Sequence, residues 1–188
     1  GEFKISQVIR KYFKYRDPKD GRLVLKEDEK ALYHLLDKGM EEFRSMGDVY
    51  LSESMKNWKI METPTVSAGV SAYTGWLELT VDMGEFPKEE LGRILAAYSQ
   101  KKKYYRLKSG QFLMLDKGGL FTLTKLAGEL GISKKDLQSG TIRLPAYRAL
   151  YLDHILKEGP GITYYRDQLF KAMVRAVKAV EDSDEPVP

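Results

Sequence analysis

Between Glu90 and Asp116 the chain carries no acidic residue, whereas Arg93, Lys101, Lys102, Lys103, Arg106 and Lys108 all bring positive charge. These six outweigh the whole excess of 31 basic over 27 acidic residues that gives the chain its net charge of +4. Five of them fall within QKKKYYRLKSGQFLML, residues 100–115, interleaved with tyrosines. Ammonium and guanidinium groups neutralise phosphates and make binding salt-dependent, and an aromatic ring between them stacks on a base. Lys101, Lys102, Lys103, Arg106 and Lys108, with Tyr104 as the stacker, are therefore candidate nucleic-acid contacts. The same stretch also has a structural reading. Three lysines in the last turn of a helix complement its negative end, and Tyr105 then belongs to the core.

Other chemistries lack their residues. The chain has no G-x-x-x-x-G-K-S/T phosphate loop, no G-x-G-x-x-G after a strand, no H-E-x-x-H and no G-x-S-x-G. Its two histidines, His34 and His154, lie on different expected helices and have no further partners at ligand spacing. Glu41-Glu42 and Glu89-Glu90 are sequence neighbours and do not face each other on a helix. No catalytic or metal-ligating residue is assigned, and no cofactor is expected in this segment. The absence of cysteine fits a reducing cytoplasm. No secretory signal is evident, and no apolar run approaches the roughly 20 residues of a membrane span. A helix-turn-helix look-alike, TLTKLAGELGISKKDL at 122–137, would allow a stand-alone DNA-binding regulator acting through residues 122–138. Ser139-Gly140, however, cuts its second helix too short to lie along a major groove.

The elements that position these residues follow from periodicity. Gly1-Glu2-Phe3, without an initiator Met, reads as a cloning scar, and residues 4–15 are ambiguous between strand and helix. Leu32, Leu35, Leu36, Met40, Phe43 and Met46 keep helical spacing up to Gly47, so a helix is expected over about 28–46. Leu23 to Leu25 and Val49-Tyr50-Leu51 read as short strands. Val66, Ala68, Val70 and Ala72, then Leu77, Leu79 and Val81, alternate with polar residues across Tyr73-Thr74-Gly75, which predicts a hairpin with one buried face. Pro87 opens a helix bearing Leu91, Ile94, Leu95 and Tyr98. A two-residue Ser109-Gly110 loop then pairs Lys108 with Gln111, Leu107 with Phe112, Arg106 with Leu113 and Tyr105 with Met114. That register turns Tyr105, Leu107, Phe112 and Met114 to the core and leaves Tyr104, Arg106 and Lys108 outside.

Beyond Gly118-Gly119 a helix is expected through Leu123, Leu126, Ala127 and Leu130, then a Ser133/Asp136 capping box, a strand over Thr141 to Leu144, and a helix from Pro145 through Leu156. A last amphipathic helix carries Leu169, Phe170, Met173, Val174, Val177 and Val180, and the acidic EDSDEPVP reads as a linker. The fold class is α+β, with β-hairpins in a small antiparallel sheet packed against several helices. One domain is expected over 4–158, with a helical connector over 159–188.

The ordered segments GDVYLSESMKNWKI, TVSAGVSAYTGWLELTVD, EELGRILAAYSQKKKYYRLKSGQFLML, LAGELGISKKDL and TIRLPAYRALYLDHIL resemble the helicase-associated domain of bacterial Swi/Snf-type ATPases over roughly 27–158. KKKYYRLKSGQFL and LPAYRALYLD are the specific part, and residues 163–188 resemble the connector into the first motor lobe. The resemblance implies a non-catalytic accessory domain ahead of two RecA-like lobes, in the cytoplasm of a bacterium. ATP and Mg would then belong to that motor, with double-stranded DNA or another nucleic acid as a further partner, and no membrane is involved. Two roles follow. The basic stretch adds a nucleic-acid contact, or Leu169, Phe170, Met173, Val174 and Val177 dock on the ATPase lobes of the same polypeptide and regulate them.

Overall fold

The computed structural model describes residues 1–25, 28–63, 65–115 and 118–183. In chain order its first elements are α1 (Glu2–Tyr12), β1 (Tyr15–Arg16), β2 (Leu23–Val24), α2 (Glu29–His34), α3 (Met40–Met46), α4 (Glu53–Lys56) and β3 (Ile60–Met61). The long hairpin β4 (Val66–Tyr73) and β5 (Trp76–Asp82) follows, then α5 (Leu91–Ser99) and the short strands β6 (Tyr104–Arg106) and β7 (Phe112–Met114). The remainder is α6 (Leu120–Leu130), α7 (Lys134–Ser139), β8 (Thr141–Pro145), α8 (Ala149–Glu158), β9 (Ile162–Arg166) and α9 (Gln168–Ser183). The class is α+β, as expected. The chain forms two compact units, one of Gly1–Glu62 with Tyr104–Met114, the other of Thr63–Lys103 with Leu115–Pro188.

The first unit joins its helices to a small sheet of order β3-β7-β6. The 28–46 periodicity materialises as α2 and α3 with a π-helical turn, Leu35–Gly39, between them. The widened turn brings Gly39 under the ring of Tyr12, where a Cβ would stand 3.1 Å from the ring carbons. Tyr12, Leu35 and Met40 form the buried centre, with Val8, Phe13 and Phe43 packed on it. Glu2 and Phe3, set apart above as a scar, are the first two residues of α1. Val49-Tyr50-Leu51 is not a strand. Tyr50 is 90% exposed, and the pairing role falls to Ile60 and Met61, which run parallel to Phe112 and Leu113.

The β6–β7 hairpin has a different register from the expected one. Tyr104 faces Met114, Tyr105 faces Leu113 and Arg106 faces Phe112. The loop is one residue longer than Ser109-Gly110: the Gly110 N–H donates to the Leu107 carbonyl at 2.9 Å, the Leu107 N–H donates to the Gln111 carbonyl at 2.8 Å, and Gly110 adopts φ +92°. A turn closed by a left-handed glycine adds one residue to one strand, and a one-residue slip exchanges the faces. Tyr104, Arg106, Phe112 and Met114 therefore share a face, with Tyr105 and Leu113 opposite.

The second unit is built on a sheet of order β8-β5-β4-β9. Residues 66–82 form the predicted hairpin, with Tyr73 facing Trp76 and Val66, Ala68, Val70, Leu77, Leu79 and Val81 buried on one face. α9 packs on β4 and α8. On the opposite face Trp76 stacks on Tyr73 at 4.2 Å, and the Arg143 guanidinium lies 3.8 Å from the Trp76 ring centroid. β9, absent from the sequence reading, pairs parallel with β4, Val66 opposite Ile162 through Val70 opposite Arg166. It is tied to α8 by Asp153, which is 2% exposed and accepts hydrogen bonds from Tyr164 Oη at 2.8 Å and Arg166 at 3.2 Å. Burial and the bond to Asp153 both push the Tyr164 hydroxyl pKa well above its ordinary value. At Gly161, φ +71°, an added Cβ would come within 2.4 Å of the Gly119 nitrogen, so two glycine turns let the chain pass backbone against backbone.

The stretch expected to connect onward thus supplies a strand and a packed helix to this unit. The expectation that Phe170 and Val174 dock elsewhere is corrected: they are 0% and 3% exposed, filling the core beneath α9. They sit one turn apart, whereas Leu169 and Val180 are turned to the other, exposed side of α9 and Val177 stands at the boundary. The Asp167 carboxylate fixes this seating by accepting from the Phe170 N–H at 2.7 Å and the Ala72 N–H at 3.2 Å. Residues 184–188 of the expected acidic linker lie outside the described residues.

Candidate nucleic-acid interface

Lys101, Lys102 and Lys103 belong to the second unit, whereas Tyr104, Arg106 and Lys108 belong to the first. The basic stretch is therefore divided between two compact bodies, and only its first half is gathered into a concave surface.

That surface begins where α5 ends. Leu91, Ile94, Leu95 and Ala97 bury one side of the helix, and the backbone then closes in a Schellman arrangement. The Lys102 N–H donates to the Ala97 carbonyl at 3.1 Å, and the Lys101 N–H donates to the Tyr98 carbonyl at 2.9 Å. This motif needs a left-handed residue at its turn, normally glycine. Here it is Lys101, at φ +58°, the one non-glycine residue with positive φ among those described. A side chain held there costs on the order of 1 kcal/mol or more. The lysines do not lie in the last turn of the helix, as expected; they follow it, and the Lys103 carbonyl accepts from the Leu115 N–H at 3.0 Å.

α6 forms the other wall. Leu120, Thr122, Leu123, Leu126 and Leu130 are buried, which turns Phe121, Lys125 and Gly128 outward on one stripe at i, i+4 and i+7. Between the two walls lies a groove of about 800 Å³, lined by Tyr98, the three lysines, Leu115 and this α6 stripe. Phe121 is 50% exposed. A Cβ added at Gly128 would meet nothing within 4 Å, so the groove is open there. Among the described residues no ion pair involves Lys101, Lys102, Lys103 or Lys125. The single acid among the described lining residues, Glu129, accepts a hydrogen bond from Tyr151 Oη, which raises the tyrosine pKa.

Phe121 and Lys125 were not among the sequence candidates. The available signal was their position: Phe121 falls off the 123-126-127-130 apolar stripe and one turn before a lysine.

Tyr104 is not an outward stacker. Its ring lies flat on Tyr33, with centroids 4.3 Å apart, and edge-on to Phe112 at 5.4 Å. Desolvation, then the nearby charges of Glu29 and Asp28, raise its pKa. Arg106, on the same face, lies over the Phe112 ring at 5.4 Å. Lys108 is exposed in the hairpin loop. The helix-turn-helix look-alike yields α7, a six-residue helix opened by the Ser133–Asp136 capping box and ended by Gly140 at φ +77°. At about 1.5 Å per residue it spans only about 9 Å, and its Leu137 is buried.

Among the described residues no group of three or more His, Cys, Asp or Glu is arranged to hold a metal, and no helix is long and apolar enough to cross a membrane. Comparison with curated proteins and with solved structures gave no match. The family model for bacterial SNF2 helicase-associated sequences, in contrast, matches residues 1–188, the full length of the chain. The expected resemblance thus extends to both ends of the sequence, and the chain belongs to the bacterial SNF2 helicase-associated family.

Proposed function

We propose that this accessory domain adds a nucleic-acid contact to its SNF2-type motor through the groove between α5 and α6. The observation that carries this reading is the gathering of Lys101, Lys102, Lys103 and Lys125 around one groove, with a single acid among its described lining residues. Four cations held together neutralise phosphates at little cost in reorganisation, and the counterions released make the affinity fall as salt rises. ATP and Mg are held by the motor lobes of the parent polypeptide, not by this chain, which carries no phosphate loop. The domain works in the bacterial cytoplasm, where that motor and its DNA are found.

Titrating the 188-residue chain with labelled DNA at increasing salt tests the reading. Binding with a steep salt slope is expected, and replacing Lys102, Lys103 and Lys125 together by Gln should flatten the slope by up to about 0.9 per lost phosphate contact. No binding at low ionic strength would sink it.

A second reading rests on α9. Leu169 and Val180, 56% and 60% exposed, continue through Met173 and Val177 as one apolar stripe on the solvent side. In this reading the stripe docks on the ATPase lobes and restrains or assists them. Leu169→Asp with Val180→Asp in the full-length parent should change its DNA-stimulated ATPase rate; an unaltered rate removes this reading.

A further inference from the structure

Resting on the groove reading above, the structure assigns the groove to single-stranded nucleic acid, we infer, with Phe121 as the platform on which a base stacks. Cations serve a single strand and a duplex alike, but an intact duplex has no use for an exposed ring in such a groove, because its base faces are hidden within the stack. This groove has both features that an unpaired strand requires. Cations line it on either side, Lys101 to Lys103 after α5 and Lys125 on α6, and an aromatic ring lies one helical turn from Lys125. Phe121 is half exposed although the neighbouring Leu120, Thr122 and Leu123 are fully buried. Burial of the opposite side of α6 thus fixes the ring outward. Gly128 leaves the far end of the same stripe bare, so the floor stays open along α6 for about two turns. Tyr98, partly exposed on the opposite wall, supplies a second ring. The volume of about 800 Å³ suits one or two nucleotides with their phosphates passing the lysines.

Stacking on a protein aromatic is indifferent to base identity and contributes about 1–3 kcal/mol per base, so the site reads strandedness and not sequence. The test uses a fluorescent oligothymidylate of about a dozen nucleotides, within the site sizes common for such proteins, against a blunt duplex of the same length, at low and moderate salt. The intact chain should prefer the single strand by tenfold or more. Phe121→Ala should weaken single-strand binding about tenfold and leave duplex binding unchanged, while Phe121→Trp restores it. Gly128→Leu, which fills the groove without touching the ring, should produce the same loss, and circular dichroism melts control for folding. Equal or tighter duplex binding that ignores Phe121 but falls with the lysine variants would overturn the strand assignment and leave the groove contact standing. Absence of binding by either probe would overturn both.

Discussion

Tyr33 and Tyr104 lie ring on ring, 4.3 Å between centroids and 12° from parallel, although 71 positions separate them in the chain. The pair clamps the β6–β7 hairpin to α2, with Phe112 buried edge-on against both rings. A Tyr104 ring engaged in this way has its stacking partner within the fold.

Tyr104→Ala is therefore a stability mutation. Loss of a partly buried ring and its stack should cost about 2–4 kcal/mol, read as a lower midpoint in urea. DNA binding of the folded fraction should not change. A variant that keeps its midpoint but loses affinity would return Tyr104 to the interface.

At Lys101 stability and binding should move in opposite directions. Glycine adopts φ +58° without strain, so Lys101→Gly should raise stability by about 1 kcal/mol. The same change removes one groove cation and should reduce affinity and the salt slope. If the midpoint falls, the left-handed lysine is not strained.

Gly128 offers a simpler test. A glycine inside a helix costs about 0.5–1 kcal/mol relative to alanine, and nothing surrounds its missing Cβ. Gly128→Ala should raise the melting temperature by a few degrees; a lower one would mean that the α6 face is not open.

Acidity should act through Glu42. Its Oε1 accepts from Lys11 Nζ at 2.8 Å and from Tyr12 Oη at 2.7 Å. The Lys11 bond, then the Tyr12 bond, hold the carboxyl below its ordinary pKa, and the Glu42 bond raises that of Lys11. A lowered carboxyl contributes stability above its unfolded pKa of about 4.3, lost as pH falls through the folded value. A raised lysine contributes below about 10.4 and stops contributing as pH climbs through its folded value. Glu42→Gln should thus be less stable than the parent chain at neutral pH and converge with it in acid. Curves that stay parallel to pH 2 would refute the coupling.

How far the sequence could be read depended on whether a feature was local. The alternation over 66–82 and the Ser133–Asp136 box involve neighbours and were legible. The hairpin register turned on one loop residue: Ser109-Gly110 suits a two-residue turn as well as the glycine-closed turn that formed, and the faces followed. β9 was hidden because ITYYR gains its partner, β4, from about 95 residues earlier. The division of the basic stretch at Lys103/Tyr104 was equally invisible, since charge continues across it without a break. Phe121 escaped because its place on a groove depends on the wall at the end of α5.

The first unit is completed by residues from two separated parts of the chain, Gly1–Glu62 and Tyr104–Met114. A chain growing from the ribosome must therefore hold residues 1–62 without Phe112 and Tyr104 until the later hairpin emerges. The partner of Tyr33 arrives only after α5 has been made. Such an order delays the close of the first unit and leaves its aromatic surface open to chaperones during synthesis. For the same reason a fragment cut after Glu62 lacks the ring that belongs over Tyr33.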